Sequence, residues 1–211
     1  MSTPSTKAKP KPRPRREEYA DATRAALLDA ARALFVESGF AQVGVEAISR
    51  AARVTRGAFY HHFVDKPALF DALVVELQAD ALARVTAASG AKADASARIA
   101  AGCAAFLDIC VEPAYRRLVI EGAPAVLGAK RCREIEDGSV IGAFVAALEA
   151  WHKAGHFDTP DPKLAARMIA AMLCEAALQL ADARHPQRTR RNALDVVRRI
   201  IEAFDPNRSA A

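Results

Sequence analysis

Residues 44–63 read GVEAISRAARVTRGAFYHHF, and their pattern decides the fold. A short apolar piece runs from Val45 to Ala52. Arg53 and Val54 separate it from a second piece, Thr55 to Phe63. Two helices this short can cross closely only if small residues stand at the contact, and Ala47, Ala51 and Ala52 supply them. Ile48, Val54, Phe59 and Phe63 are the apolar plugs that would hold the pair against a third helix. Thr55 has the chemistry of an N-cap for the second piece. Its outer face, Thr55, Arg56, Gly57, Tyr60 and His61, is polar or small. Such a face fits a DNA major groove about 12 Å wide, and Gly57 permits close approach to a backbone or base. The stretch therefore reads as a helix-turn-helix.

Working outward, Leu27, Leu28, Ala31, Leu34 and Phe35 fall on one face of a preceding helix that Gly39 stops. Downstream, Asp65 is a cap for a long helix in which Pro67 is tolerated in the first turn. Leu69, Phe70, Leu73, Val74 and Leu77 form its buried stripe. The remainder is helical throughout. Ile99 to Cys110 makes one amphipathic face, and Tyr115–Ile120 a short helix bounded by Gly122 and Pro124. Ile141 to Trp151 forms another, stopped at Gly155. Two long helices are expected at about 163–183 and 188–204. No alternating strand run or hairpin dipeptide is present, so the fold class is all-α. There is no internal repeat.

The 211 residues, 52% of them hydrophobic, suffice for a substantial core. Formal charge is placed unevenly. Residues 1–66 carry 12 Lys/Arg against 7 Asp/Glu, whereas residues 67–211 carry 18 of each. The whole net charge of +5 sits in the first third, which points to a polyanion partner there. Residues 1–16 hold four prolines and six basic residues without an acid, and read as a basic arm. No signal core is readable there, and Glu17, Glu18 and Asp21 count against a transit peptide. The apolar stretch Leu164 to Leu180 is broken by Arg167 and Glu175, so no membrane span is expected. Cys103, Cys110, Cys132 and Cys174 lack metal-pair spacing and sit in apolar helical context, as buried thiols do.

The stretch from Thr23 to Leu73 resembles the DNA-binding domain of TetR/AcrR-type transcriptional repressors. The resemblance rests on Ala30-Ala31, Leu34-Phe35, Gly39-Phe40, Ile48, Ala52, Val54 and Thr55. It continues through Gly57-Ala58-Phe59-Tyr60-His61-His62-Phe63, Lys66 and Leu69. The segment YRRLVIEGAPAVLG (115–128) is similar to one in a subset of these regulators. Two departures stand out. The family usually has glycine where this chain has Arg53, and Thr or Ser where it has Gly44. A left-handed non-glycine residue costs roughly 1–2 kcal/mol, and without a hydroxyl Gly44 could offer a phosphate only its N–H.

The resemblance implies an all-α chain with an N-terminal three-helix DNA-binding domain and a larger helical domain for ligand binding and dimerisation. The expected divisions are a disordered basic arm at 1–18, a helix-turn-helix domain at 19–81 (motif about 44–63), and the helical domain at 82–211. The expected DNA contacts are Gly44, Arg53, Thr55, Arg56, Gly57, Tyr60, His61 and Lys66. Arg56 leads them, because a guanidinium on guanine is the commonest specific pairing. Lys66, at a helix N-terminus, is placed to favour a phosphate. The resemblance puts the inducer, a small apolar or amphipathic molecule, among the middle helices, with Cys103, Phe106, Tyr115, Phe144, Trp151, Met168 and Met172 as candidate lining. It puts a homodimer interface on the last two helices, at Leu164, Ile169, Leu173, Ala176, Leu180, Val197, Ile200 and Ile201.

Each assignment has a plainer counterpart. Thr55 can act as a cap alone, Tyr60 can pack, His61 and Lys66 can be ordinary surface, and the apolar faces of the last helices can be core. His152 and His156 are four apart, but two ligands are too few for a metal. No metal or cofactor is expected, and no catalytic constellation is legible. The partners implied are double-stranded DNA, a small-molecule inducer and a second copy, in the cytoplasm and away from membranes. The alternatives kept open are an all-α carrier or enzyme, and a helix-turn-helix that binds protein.

Overall fold

A computed structural model describes residues 15–90 and 94–206. Nine α-helices and one π-helical segment account for most of these residues, and no strand occurs among them. The first three helices are α1 (Arg15–Ser38), α2 (Val45–Ala51) and α3 (Arg56–His62). α4 (Lys66–Gly90) leads to α5 (Ala95–Cys110). The π-helix (Tyr115–Gly122) runs directly into α6 (Ala123–Asp137), and α7 (Val140–Lys153), α8 (Pro162–Ala181) and α9 (Pro186–Ala203) complete the chain.

The local signals act as their chemistry dictates. Gly39, at φ 79°, ends α1, and Gly155, at φ 75°, follows α7. Asp65, Asp94 and Asp161 cap α4, α5 and α8, each accepting from a backbone N–H three residues on, at 2.7, 2.7 and 2.9 Å. Leu27, Leu28, Ala31 and Phe35 of α1 are buried against Ile48, Phe59 and Phe63, so α2 and α3 are held by one small core.

Three boundaries differ from the sequence reading. α1 begins at Arg15, so residues 15–18, assigned to the arm, are helical. Residues 1–14 lie outside the described residues. The division at 81/82 falls inside α4, an unbroken helix whose first turns pack on α1 and whose last turns pack on α5. The short helix expected at 115–120 is the π-helix, and Pro124 opens α6 instead of punctuating a gap. Gly122 is needed at that junction. A Cβ there would meet the Arg117 carbonyl oxygen at 2.9 Å and the Phe70 ring at 3.4 Å.

The larger domain is built around α8, which packs on α5, α7 and α9. By length and composition alone α8 could cross a membrane, its best window having a mean hydropathy of 1.5. Its two sides explain that apolarity. Ala166, Ile169, Ala170, Leu173 and Ala177 face the core, while Leu164 and Met168 are 55% and 59% exposed. Arg167 pairs with Glu136 at 3.1 Å and with Asp137, fixing α8 to the end of α6. The thiols fit the packing role. Burial pushes Cys103 up to about 12, and Cys110 is raised further by bonding to Cys174, so neither is a ready nucleophile.

Candidate nucleic-acid interface and effector cavity

The turn between α2 and α3 is a complete Schellman motif. Ala52 is the C-cap, the Arg53 N–H donates to the Arg50 carbonyl at 3.1 Å, and the Val54 N–H donates to the Ser49 carbonyl at 2.9 Å. Val54 folds back onto the core that holds Ile48, the apolar contact that accompanies this motif. The position that normally takes glycine here is Arg53, at φ 58°. It is the only non-glycine residue with positive φ among the described residues. The conditional cost noted from the sequence is therefore incurred, and the Arg53 side chain is left exposed beside the recognition helix.

Gly44 is the N-cap of α2, extended at φ −93° and ψ 161°, and offers no side-chain cap. Thr55 caps α3, its Oγ accepting from the Ala58 N–H at 3.1 Å. Gly57 stands in open surroundings, where a Cβ would meet only the Thr55 Oγ at 3.8 Å. Internal packing therefore does not require glycine at 57, and the space it leaves is on the outer surface.

Seven of the eight residues expected to contact DNA, all but Lys66, are exposed around this motif. Arg56 is already engaged. Its guanidinium pairs with Glu46 of α2 at 2.5 Å, lies 5.5 Å from the Tyr60 ring centre and bonds the Tyr60 hydroxyl at 3.4 Å. Those contacts hold the side chain across the outer face of the motif. Glu46 was not legible as a partner, because the pairing joins two helices whose relative placement depends on the turn.

Lys66 does different work from that expected. Its ammonium donates to the carbonyls of Phe40 and Val43 at 2.8 and 2.9 Å and lies 4.1 Å from the Phe40 ring centre. It ties the first turn of α4 to the α1–α2 connection, with one N–H remaining. His62, half-buried on α3, is held below the ordinary imidazole range. Burial is the main cause, with His61 and Arg24 adding to it and Asp21 opposing.

The larger domain encloses a cavity of about 520 Å³ between the end of α4, α5, α7 and α8. Of the expected lining, Cys103, Phe106, Phe144 and Trp151 are on its wall. Tyr115 instead lines a second cavity of about 370 Å³ between α4, the π-helix, α6 and α8. Met168 and Met172 line neither. Met168 projects outward from α8 because helical phase sets it opposite the buried Ala166 and Ala170.

The expected interface residues divide likewise. Ile169, Leu173, Leu180, Val197 and Ile201 are buried within the chain and belong to its own core. Ala176 and Ile200 are half-buried, and Leu164 is exposed. The outward apolar face is made by Leu164, Met168 and Val196, the last 53% exposed. The His152 ring bonds the Phe157 carbonyl at 2.7 Å. His156 is on the wall of the first cavity.

Two family signatures match this arrangement. That of bacterial regulatory proteins of the tetR family covers residues 27–73. That of the tetracyclin repressor-like C-terminal domain covers residues 96–204, more than half of the chain. The chain belongs to the tetR family. Among its relatives, the HTH-type transcriptional regulator UidR of Escherichia coli is 42% identical over 65 residues, 31% of this chain and 33% of that protein. The HTH-type transcriptional repressor Rv1474c of Mycobacterium tuberculosis is 43% identical over 60 residues, 28% of this chain and 32% of that one. The matches thus span about a third of the length of these curated relatives. A solved TetR-family transcriptional regulator from Pectobacterium atrosepticum superposes with a TM-score of 0.70 at 28% identity, covering 92% of this chain and 98% of that one. This tetR-family chain has the all-α, two-part architecture of that structure.

Proposed function

We propose that this tetR-family chain is a cytoplasmic, homodimeric transcriptional repressor that binds palindromic double-stranded DNA and is released by a small, largely apolar effector. One observation carries the reading. Arg53, Thr55, Arg56, Gly57, Tyr60 and His61 form one exposed polar surface on a helix-turn-helix whose opposite side buries Ile48, Phe59 and Phe63. Thr55 and Gly44 position phosphates, and Arg56 reads a base after exchanging Glu46 for a guanine edge.

One such motif reads few base pairs, so two copies about 34–36 Å apart supply the affinity. The outward face of α8 and α9, with Leu164, Met168 and Val196, is the surface that a second copy covers by two-fold symmetry. The effector occupies the cavity beside Phe106, Phe144 and Trp151. Because α4 borders that cavity and also holds the DNA-binding helices through Lys66, a ligand that favours one setting of α4 changes the spacing of the two recognition helices.

Footprinting of the purified protein on fragmented genomic DNA, followed by sedimentation of the protein with the recovered site, tests the reading. A palindromic footprint bound by two copies is expected. A strictly monomeric protein that ignores duplex DNA of any sequence at low salt would refute it. Met168→Glu should dissociate the dimer while leaving the fold intact, since the residue is exposed in one chain.

A further inference from the structure

The two cavities of the larger domain lie side by side. Phe106, Ile141 and Ala170 line both, so these three side chains form the partition. The outer cavity has a mostly apolar wall. The inner one contains a buried polar pair. The Tyr115 hydroxyl donates to Gln78 Oε1 at 2.9 Å, and Gln78 is only 5% exposed. A glutamine amide also carries two N–H donors, and Gln78 Nε2 has no partner among the described residues. Gln78 is nonetheless on the cavity wall. This donor on the wall can serve an acceptor held in the cavity.

The surroundings narrow the acceptor's chemistry. The Tyr115 hydroxyl, as donor, occupies Oε1. The amide therefore presents its NH₂ end. The one arginine on the wall, Arg167, is taken by Glu136 and Asp137, and Glu136 and Glu175 are also on the wall. No cation there is left for an anionic head, and the carboxylates disfavour one.

We propose that the inner chamber is the head-group half of the effector site, and that it takes a neutral, carbonyl-bearing molecule. The carbonyl oxygen accepts from Gln78 Nε2, and the apolar body extends past Phe106 into the outer chamber. This rests on the reading of the helical domain as effector-binding. Gln78 belongs to α4, twelve residues after Lys66, so the same bond grips the helix that carries the DNA-binding domain.

Calorimetric titration of the full chain with benzophenone, its carbonyl-free analogue diphenylmethane, and diphenylacetate tests the proposal. Benzophenone should bind about tenfold tighter than diphenylmethane, the equivalent of one net hydrogen bond, and diphenylacetate should bind weakest. In Gln78→Leu the ratio should fall to about one, with diphenylmethane affinity retained. Gln78→Met removes the same donors with a flexible side chain, and provides the measurement should the leucine variant unfold. Equal affinities in the wild type, a ratio that survives both variants, tighter binding of diphenylacetate, or no binding of any probe would each overturn the proposal. Operator affinity is read in a separate titration. Selective benzophenone binding that leaves DNA affinity unchanged would overturn the repressor reading while leaving the chemistry of the chamber standing.

Discussion

Replacing Arg53 by glycine should make the protein more stable, although it removes a charged surface residue from the family's DNA-binding motif. The reason is the backbone. Arg53 stands at φ 58°, in the left-handed position of the Schellman motif that closes α2. A side chain there costs roughly 1–2 kcal/mol. Glycine removes that cost but loosens the unfolded chain, which takes back about 0.4–1 kcal/mol. The Arg53 side chain makes no hydrogen bond or ion pair with the described residues, so little else is lost. The net expectation is a gain of about 0.5–1 kcal/mol, or a rise in Tm of roughly 1–4 °C for a chain of this size.

Arg53→Ala is the control, since it keeps the strain and removes the charge. Thermal and urea denaturation of the three proteins should place Arg53→Gly above a wild type that Arg53→Ala matches. If alanine stabilises as much as glycine, charge repulsion and not backbone strain is responsible. If glycine destabilises, the reasoning fails. DNA binding separates the second role of the residue. Should Arg53 reach a phosphate, both variants lose about one unit from the log–log salt slope equally, whatever their stabilities.

Three further outcomes are expected. Lys66→Met should destabilise the protein by about 2–3 kcal/mol in urea, because two carbonyls lose a charged donor. The salt slope of DNA binding should stay unchanged, and a reduced slope with unchanged stability would return Lys66 to phosphate contact. In gel-shift titrations, Arg56→Ala should weaken operator binding roughly ten- to hundredfold and relax preference at one position. Glu46→Gln should strengthen it, by freeing Arg56 from its ion pair. His62, depressed in the folded state, binds its proton more readily when unfolded. Stability is therefore fully present above pH 6.5 and declines as the pH falls below it. His62→Gln should flatten the difference between urea midpoints at pH 7.5 and 5.5, and an undiminished difference would assign the pH dependence elsewhere.

The helices and their ends were legible from the chain alone, because the signals are local. The periodicity of Leu27 to Phe35, the glycine stop at 39, and the caps Thr55, Asp65 and Asp161 each act within one or two turns. The exposed polar face of the helix-turn-helix was legible for the same reason. Its residues share one short helix and one tight turn, so their common exposure follows from helical phase. Arg53 belongs with them, since the need for a left-handed residue is set by the motif around it.

What only the tertiary structure decided involves choices between equivalent local solutions. α8 is apolar nearly all round, and periodicity cannot say which side turns inward. Packing on α5, α7 and α9 buries Ile169 and Leu173 and leaves Leu164 and Met168 outside. Lys66 at a helix start suits a phosphate or a pair of carbonyls equally well. Only the approach of the α1–α2 connection selects the carbonyls. The Glu46–Arg56 pair and the Gln78–Tyr115 bond join residues on different helices. Their partners are set by how those helices meet, and helix–helix placement is a property of the whole core, which no short window of sequence contains.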